Sequence, residues 1–234
     1  MISVIIPTLN EEKYLRKCLE SICRQDCERN FEIIISDGYS TDQTVEIAKE
    51  YGAKIIQEKA RGPARAKNLG SKLAEGDILL FTDADATFPK GFLNRVSEKY
   101  EDNEVVAVGG PLAADSRLMK HQWMYWLTTD VFPSLTAPLK FYHFQGSNMS
   151  LRASAFRKIG GFNESLKILE DNEISNRAAK VGRVIWDRGL KLLNNPRRFK
   201  KEGYSQRIWE FGIKGYFKIY MLRKNKIDYT YTKA

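Results

Sequence analysis

The sequence predicts a doubly wound α/β fold with a mostly parallel sheet flanked by helices, on three observations. Short apolar runs alternate with amphipathic stretches from residue 3 onward. The runs are nearly continuous in Val, Ile, Leu and Phe, as strands buried on both faces require. Polar residues gather just past the ends of the runs, where open sheets of this kind bind ligands.

The elements follow in order. "SVIIPT" (3–8) is a strand, and "EEKYLRKCLESICRQ" (11–25) sets Tyr14, Leu15, Cys18, Leu19 and Ile22 on one helical face. "FEIIISD" (31–37) is the second strand. "STDQTVEIAKEYG" (40–52) opens on a capping residue and closes on glycine, as helices do. "AKIIQE" (53–58) is a strand, "GPARAKNLGSKLAEG" (62–76) a helix with Pro63 near its start, and "DILLFTD" (77–83) the fourth strand. This β-α-β-α-β-α-β order implies crossovers and a parallel sheet. Beyond it, "EVVAVGGP" (104–111) reads as strand and turn, and 118–144 is crowded with aromatics. "GSNMSLRASAFRKIGGF" (146–162) reads as strand then helix, and "LEDNEISNRAAKVG" (169–182) as a helix with an acidic start.

The chain has 234 residues, 43% hydrophobic and 29% charged, enough for a large core without a disulfide or metal staple. Cys18, Cys23 and Cys27 are an odd number packed into ten residues, which reads as free thiols in a reducing compartment. No leader and no apolar run of spanning length is apparent, so a cytoplasmic protein is expected. The net charge is +9, and the stretch 196–234 carries eleven Lys or Arg against three Asp or Glu. That balance suits an anionic partner.

The chemistry centres on "DILLFTDADATF" (77–88). In an extended chain, side chains at i and i+2 point the same way, which sets Asp83 and Asp85 side by side past the strand. Two adjacent carboxylates repel unless a cation lies between them. Mg²⁺ and Mn²⁺ take oxygen ligands and commonly bind through one or two carboxylates plus substrate phosphates. Acidic loops also follow the first and second strands, at "PTLNEE" and "SDGYSTD".

"SVIIPTLNEEKYL", "EIIISDGYSTDQT", "ARGPARAKNLG" and "DILLFTDADATFPKGFL" resemble the nucleotide-binding half of the family 2 glycosyltransferases, which have the GT-A fold. "GGP", "GSNMSLRASAFRKIGGFNE" and "LEDNEISNRAAKVG" resemble that family's acceptor half, so the likeness runs from residue 2 to about 182. The resemblance implies an inverting, metal-dependent transfer from a UDP- or GDP-sugar to a hydroxyl acceptor, with a lipid-linked glycan or polyprenyl phosphate among the acceptors allowed. It implies that Pro7, Thr8, Asn10 and Glu11 line the nucleoside and that Asp37 accepts a hydrogen bond from the base. Arg61 and Lys67 approach the diphosphate, Asp83 contacts ribose and the metal shell, and Asp85 ligates Mn²⁺ or Mg²⁺. Asp171, beside Glu170, matches the family's base. Each position also has a plainer reading: Glu11, Glu170 and Asp171 as acids at helix starts, Arg61 and Lys67 as solvated charges. Tyr39 departs from the family by standing where a small residue is common. The Q-x-x-R-W motif of processive synthases is absent, "QRIW" (206–209) being a partial echo.

The expected organisation is a nucleotide-sugar half (1–110), an acceptor half of the same domain (111–195) and a basic aromatic helical extension (196–234). Within the extension, Trp209, Ile213, Tyr216, Phe217 and Tyr220 share one helical face flanked by cations, which suits peripheral contact with an anionic membrane or packing on the domain. Three competing readings are weighed: a nucleotidyltransferase would share the nucleotide-binding layout, but its glycine-rich basic N-terminal loop is missing, "PTLNEE" being acidic. D-x-D-x-T also fits a haloacid-dehalogenase-like phosphatase with Asp83 as nucleophile, but there the motif belongs on the first strand. A nucleic-acid binder is favoured by charge alone, and no nucleic-acid motif accompanies it, so nucleic acid is not an expected partner.

Overall fold

The computed structural model describes residues 1–59, 62–166 and 168–197. Arg61 and the helix expected over 203–226 lie outside the described residues. Residues Met1–Asn195 form one compact unit.

The first half follows the expected alternation: β1 (Ile2–Thr8), α1 (Glu12–Cys23), β2 (Phe31–Asp37), α2 (Thr44–Glu50), β3 (Lys54–Gln57), α3 (Pro63–Ser71) and β4 (Ile78–Phe81). Then come β5 (Ala86–Thr87), α4 (Phe92–Lys99), β6 (Val105–Gly109) and β7 (Leu112–Ala114). The aromatic stretch is helical: α5 (Met119–Tyr125), a π-helical turn (Trp126–Val131), α6 (Phe132–Thr136) and a 3₁₀ turn (Ala137–Leu139). β8 (Met149–Arg152), α7 (Ala153–Lys158), α8 (Glu170–Ala178), β9 (Arg183–Trp186) and β10 (Leu192–Asn194) complete the described chain.

Seven strands form the main sheet in the order β3-β2-β1-β4-β8-β6-β9, and β5, β10 and β7 form a small second sheet. β1 pairs in parallel with β2 and with β4, and β2 with β3. β8 runs antiparallel to both β4 and β6, while β6 and β9 are parallel. The chain winds outward from β1 through β2 and β3, then returns to lay β4 on the other side of β1. That reversal opens a crevice at the carboxyl ends of β1 and β4, the switch point of a doubly wound sheet. Because β8 is reversed, its amino end joins the same edge: Met149 lies opposite both Phe81 and Gly109. Phe81 packs edge-on to Phe162 at 4.9 Å and beside Phe156 at 5.6 Å, so the core anchors the strand that leads into the crevice.

Two local expectations change. α2 starts at Thr44 rather than near Ser40: Gln43 is the N-cap residue, without a side-chain cap, and Asp42 accepts from the Thr44 amide (3.0 Å) in the turn before it. β4 ends at Phe81, and the Ala86 amide bonds back to the Asp83 carbonyl at 3.1 Å. A turn therefore separates Asp83 from Asp85, and the alternation of an extended strand does not relate them.

Candidate active site

The loops after β1 and β2 are stitched together by short polar side chains. The Asn10 amide donates to the Ser40 hydroxyl (2.8 Å), and the Asn10 side-chain oxygen accepts from the Thr41 amide (2.8 Å). The Glu11 amide donates to Thr44 Oγ1 (2.8 Å), and the Glu12 amide to Asp42 (3.1 Å). Asn10 and Tyr39 both sit in the left-handed region, with φ of 56° and 64°. Asparagine tolerates this well; tyrosine does so at some cost, and its ring stands half in solvent.

Asp37, at the tip of β2, is 1% exposed. Its Oδ1 accepts from Thr8 Oγ1 (2.9 Å) and Ser40 Oγ (2.5 Å), and its Oδ2 from the Ser40 amide (2.9 Å) and Gln57 Nε2 (3.0 Å). Burial raises its pKa, but these donors outweigh it and hold the carboxyl below its ordinary value. Four donors fill the lone-pair sites of this one carboxylate. Pro7 lies in β1 opposite Ser36. The buried hydroxyls of Ser36 and Thr82 have no hydrogen-bond partner among the described residues. Thr82 immediately follows β4, so an unsatisfied buried hydroxyl stands at the switch point.

The turn after β4 carries the two aspartates. Asp85 is 8% exposed, its Oδ1 accepts from Asn194 Nδ2 (2.8 Å), and Asn194 Oδ1 accepts in turn from Tyr125 OH (2.9 Å). The Asp85 carbonyl takes the Asn195 amide at 3.2 Å, so β10 clamps the turn from both sides. From below, Cys18 places its thiol 3.7 Å from the Asp83 carbonyl, and burial with the nearby Asp85 and Asp83 charges drives that thiol upward in pKa. Cys18 is thus a buried structural thiol, and all three cysteines are free. Two carboxylates on one turn, with Asn194 orienting one of them, are hard oxygen donors of the kind Mg²⁺ and Mn²⁺ take when phosphates supply the remaining ligands. These residues fit such an ion.

The third group assembles across the sheet edge. Leu169 adopts φ 65°, which turns the chain so that α8 begins on Glu170 and Asp171. Lys67, from α3, is 2% exposed and places Nζ 3.3 Å from Glu170 Oε1 and 5.1 Å over the Phe162 ring. It is therefore no solvated surface charge. Asp171 Oδ2 accepts from the Gly146 amide (2.7 Å), and Oδ1 from the Asn172 amide (2.8 Å). Burial, and then the Glu170 charge, push Asp171 up to about 6, against the opposing pull of Lys67. Gly146 permits the arrangement: a Cβ there would lie 2.4 Å from Lys67 Nζ and 3.2 Å from Asp171 Oδ2.

The expected residues thus fall into three sets along one edge of the sheet: Pro7, Thr8, Asn10, Glu11 and Asp37; Asp83 and Asp85; Lys67 with Asp171. Sequence reasoning missed Gly146, Asn194, Tyr125 and the partnership of Lys67 with Glu170. The glycine was inside a motif already singled out. No local spacing marks Asn194 as the partner of a residue 109 positions away.

A model described as glycosyl transferase family 2 matches residues 3–160. A dolichyl N-acetyl-α-D-glucosaminyl phosphate 3-β-D-2,3-diacetamido-2,3-dideoxy-β-D-glucuronosyltransferase of Methanococcus voltae is 40% identical over 122 residues, which is 47% of this chain and 38% of that protein. A PGL/p-HBAD biosynthesis glycosyltransferase of Mycobacterium tuberculosis is 30% identical over 203 residues, 84% of this chain and 71% of that one. The chain thus spans well under half the length of the archaeal relative. Among solved structures, the mannosyltransferase PcManGT of Pyrobaculum calidifontis, in complex with GDP-Man and Mn²⁺, superposes with a TM-score of 0.69 at 23% identity over 88% of this chain and 59% of that one. TarS 1–349 of S. aureus superposes with a TM-score of 0.67 at 24% identity over 86% of this chain and 62% of that one. These likenesses establish the fold as GT-A-type.

Proposed function

Because the chain belongs to glycosyltransferase family 2, we propose that it moves a sugar from a UDP- or GDP-linked donor to a hydroxyl acceptor with inversion at the anomeric carbon. The observation that carries this reading is the Lys67–Glu170–Asp171 cluster against Gly146, at the sheet edge that also bears the Asp83–Asp85 turn. An inverting displacement needs a base for the attacking hydroxyl on the face of the sugar opposite the leaving group. Asp171, pushed up to about 6, is ionised at neutral pH yet basic enough to take that proton. Its two amide donors fix the carboxylate plane, and Lys67 and Glu170 set its charge environment.

On the donor side, Pro7, Thr8, Asn10 and Glu11 line the nucleoside. Asp37 takes an N–H of the uracil or guanine edge when Ser40 or Gln57 yields a position. Arg61 neutralises the diphosphate. Asp83 and Asp85 hold Mn²⁺ or Mg²⁺, which when bound stabilises the charge developing on the leaving diphosphate. The chain's own part there is the Tyr125–Asn194–Asp85 series, which orients a ligand carboxylate. Structures of the fold neighbours TarS with UDP-GlcNAc and PcManGT with GDP-Man and Mn²⁺ support both the donor class and the ion. The name of the M. voltae relative supports a lipid-linked acceptor.

The reading is tested by thermal-shift screening of UDP- and GDP-sugars with and without Mn²⁺, since a donor that binds the native state raises the melting temperature. An inverted product anomer is expected. Phosphate release from a simple phosphomonoester would favour the phosphatase reading, against which β4 stands fourth among the strands in chain order. A gel shift at physiological salt would favour nucleic-acid binding.

A further inference from the structure

We propose that the helical stretch 119–139 is a docking face for an anionic lipid surface. This inference is independent of the glycosyl-transfer reading. The stretch is inverted relative to an ordinary surface helix. Its inward side is polar and satisfied: His121 meets the Ser116 hydroxyl (2.7 Å), Tyr125 donates to Asn194 (2.9 Å), Thr129 donates to the Leu112 carbonyl (2.8 Å), and Asp130 accepts from Arg188 (2.6 Å). Its outward side is apolar. Met119 is 73% exposed, Trp123 60%, Leu127 49%, Leu135 69% and Leu139 75%, at intervals of four or eight residues, and Trp126 joins them at 45%. An amphipathic helix of a water-facing domain buries its apolar stripe, whereas this one presents it.

Charge decides what covers the stripe. From residue 116 to 144 the cations are Arg117, Lys120 and Lys140, all exposed. The one carboxylate there, Asp130, is 4% exposed and paired with Arg188. Just before Arg117, Asp115 is exposed and paired with Lys17 (2.5 Å), so the exposed charge that flanks the stripe is cationic in sum. A two-fold contact with a second copy would set these cations against cations, because such an interface repeats one patch. An anionic lipid surface instead takes the cations at its headgroups and the apolar stripe at the acyl boundary. Trp123 and Trp126, edge-to-face at 5.2 Å, have the ring chemistry that favours that depth. A cavity of about 360 Å³ beside them is lined by Leu112 and Ala113 of β7 with Gln122, Asp130 and Lys191.

The test uses the full chain and sucrose-loaded vesicles of phosphatidylcholine with or without phosphatidylglycerol. Wild type is expected to pellet with the anionic vesicles. The variant Trp123→Gln/Leu127→Gln/Leu135→Gln keeps every charge, including those of 196–234, and is expected to partition at least about tenfold more weakly. Circular dichroism checks that the variant is folded. As a second readout, brominated lipids should quench wild-type tryptophan fluorescence, and quenching should fall in Trp123→Phe/Trp126→Phe. Three results would overturn the proposal: equal pelleting of variant and wild type, wild type that stays in the supernatant at every salt concentration, or a stable dimer that dissociates when the stripe is mutated.

Discussion

Asp171 is the residue on which most turns. Replacement by Asn is nearly isosteric and keeps an acceptor for the Gly146 amide, but an amide takes no proton at neutral pH. Transfer should fall by about 10²–10⁴-fold while donor affinity stays near wild type; loss of donor binding to the same extent would make Asp171 a structural residue. The neighbours give a second check through pH. The base must be ionised, so transfer by wild type should decline as pH falls through about 6. The Lys67 charge lowers that value and the Glu170 charge raises it. Lys67→Met should therefore move the acid limb to higher pH, and Glu170→Gln to lower pH. Limbs that stay put in both variants would remove these residues from the account. The carboxylates themselves were legible in the residues from 169 onward; their partners were not, because Lys67 comes from a helix a hundred positions earlier and reaches Glu170 only through the fold.

Elements position these groups, and their legibility follows their length. β1, β2 and β4 were readable because each is a solid apolar run that the sheet buries on both sides. β5, β7 and β10 span only two or three residues, too few to show a period, yet β10 supplies the side chain that holds Asp85. The turn after β4 was misread as extended strand because the D-x-D spacing fits either geometry, and only the bond from the Ala86 amide to the Asp83 carbonyl distinguishes them. The aromatic stretch 118–144 could be flagged but not oriented, since its apolar residues face outward against the usual rule. Two predictions belong here. Gly146→Ala forces the Lys67 ammonium and the Asp171 carboxylate to shift, so transfer measured by product formation should fall while the melting temperature changes little; transfer at the wild-type rate would show that the close approach at Gly146 is not needed. Asn194→Ala removes the side chain that orients Asp85 and should weaken Mn²⁺-dependent donor binding by about 10–100-fold, read by titration calorimetry. Unchanged affinity in that variant would show that β10 supports the turn without tuning it.

At the scale of the molecule, one GT-A-type sheet brings two groups of polar residues to one edge: the loops after β1, β2 and β4, proposed here to take metal and nucleotide, and the start of α8, proposed to supply the base. The antiparallel β8 makes this possible, because its reversal carries the Gly146 loop to the carboxyl ends of its neighbours. No helix among the described residues is long and apolar enough to cross a membrane. The central claim is that the two ends do separable work. It is tested most directly by titrating the preferred nucleoside-diphosphate sugar, with and without Mn²⁺, into wild type, Asp85→Ala and Asp171→Asn. The account predicts metal-dependent binding by wild type and equally by Asp171→Asn, with that binding abolished in Asp85→Ala. Metal-independent binding that survives in Asp85→Ala, or binding lost in Asp171→Asn, would contradict it.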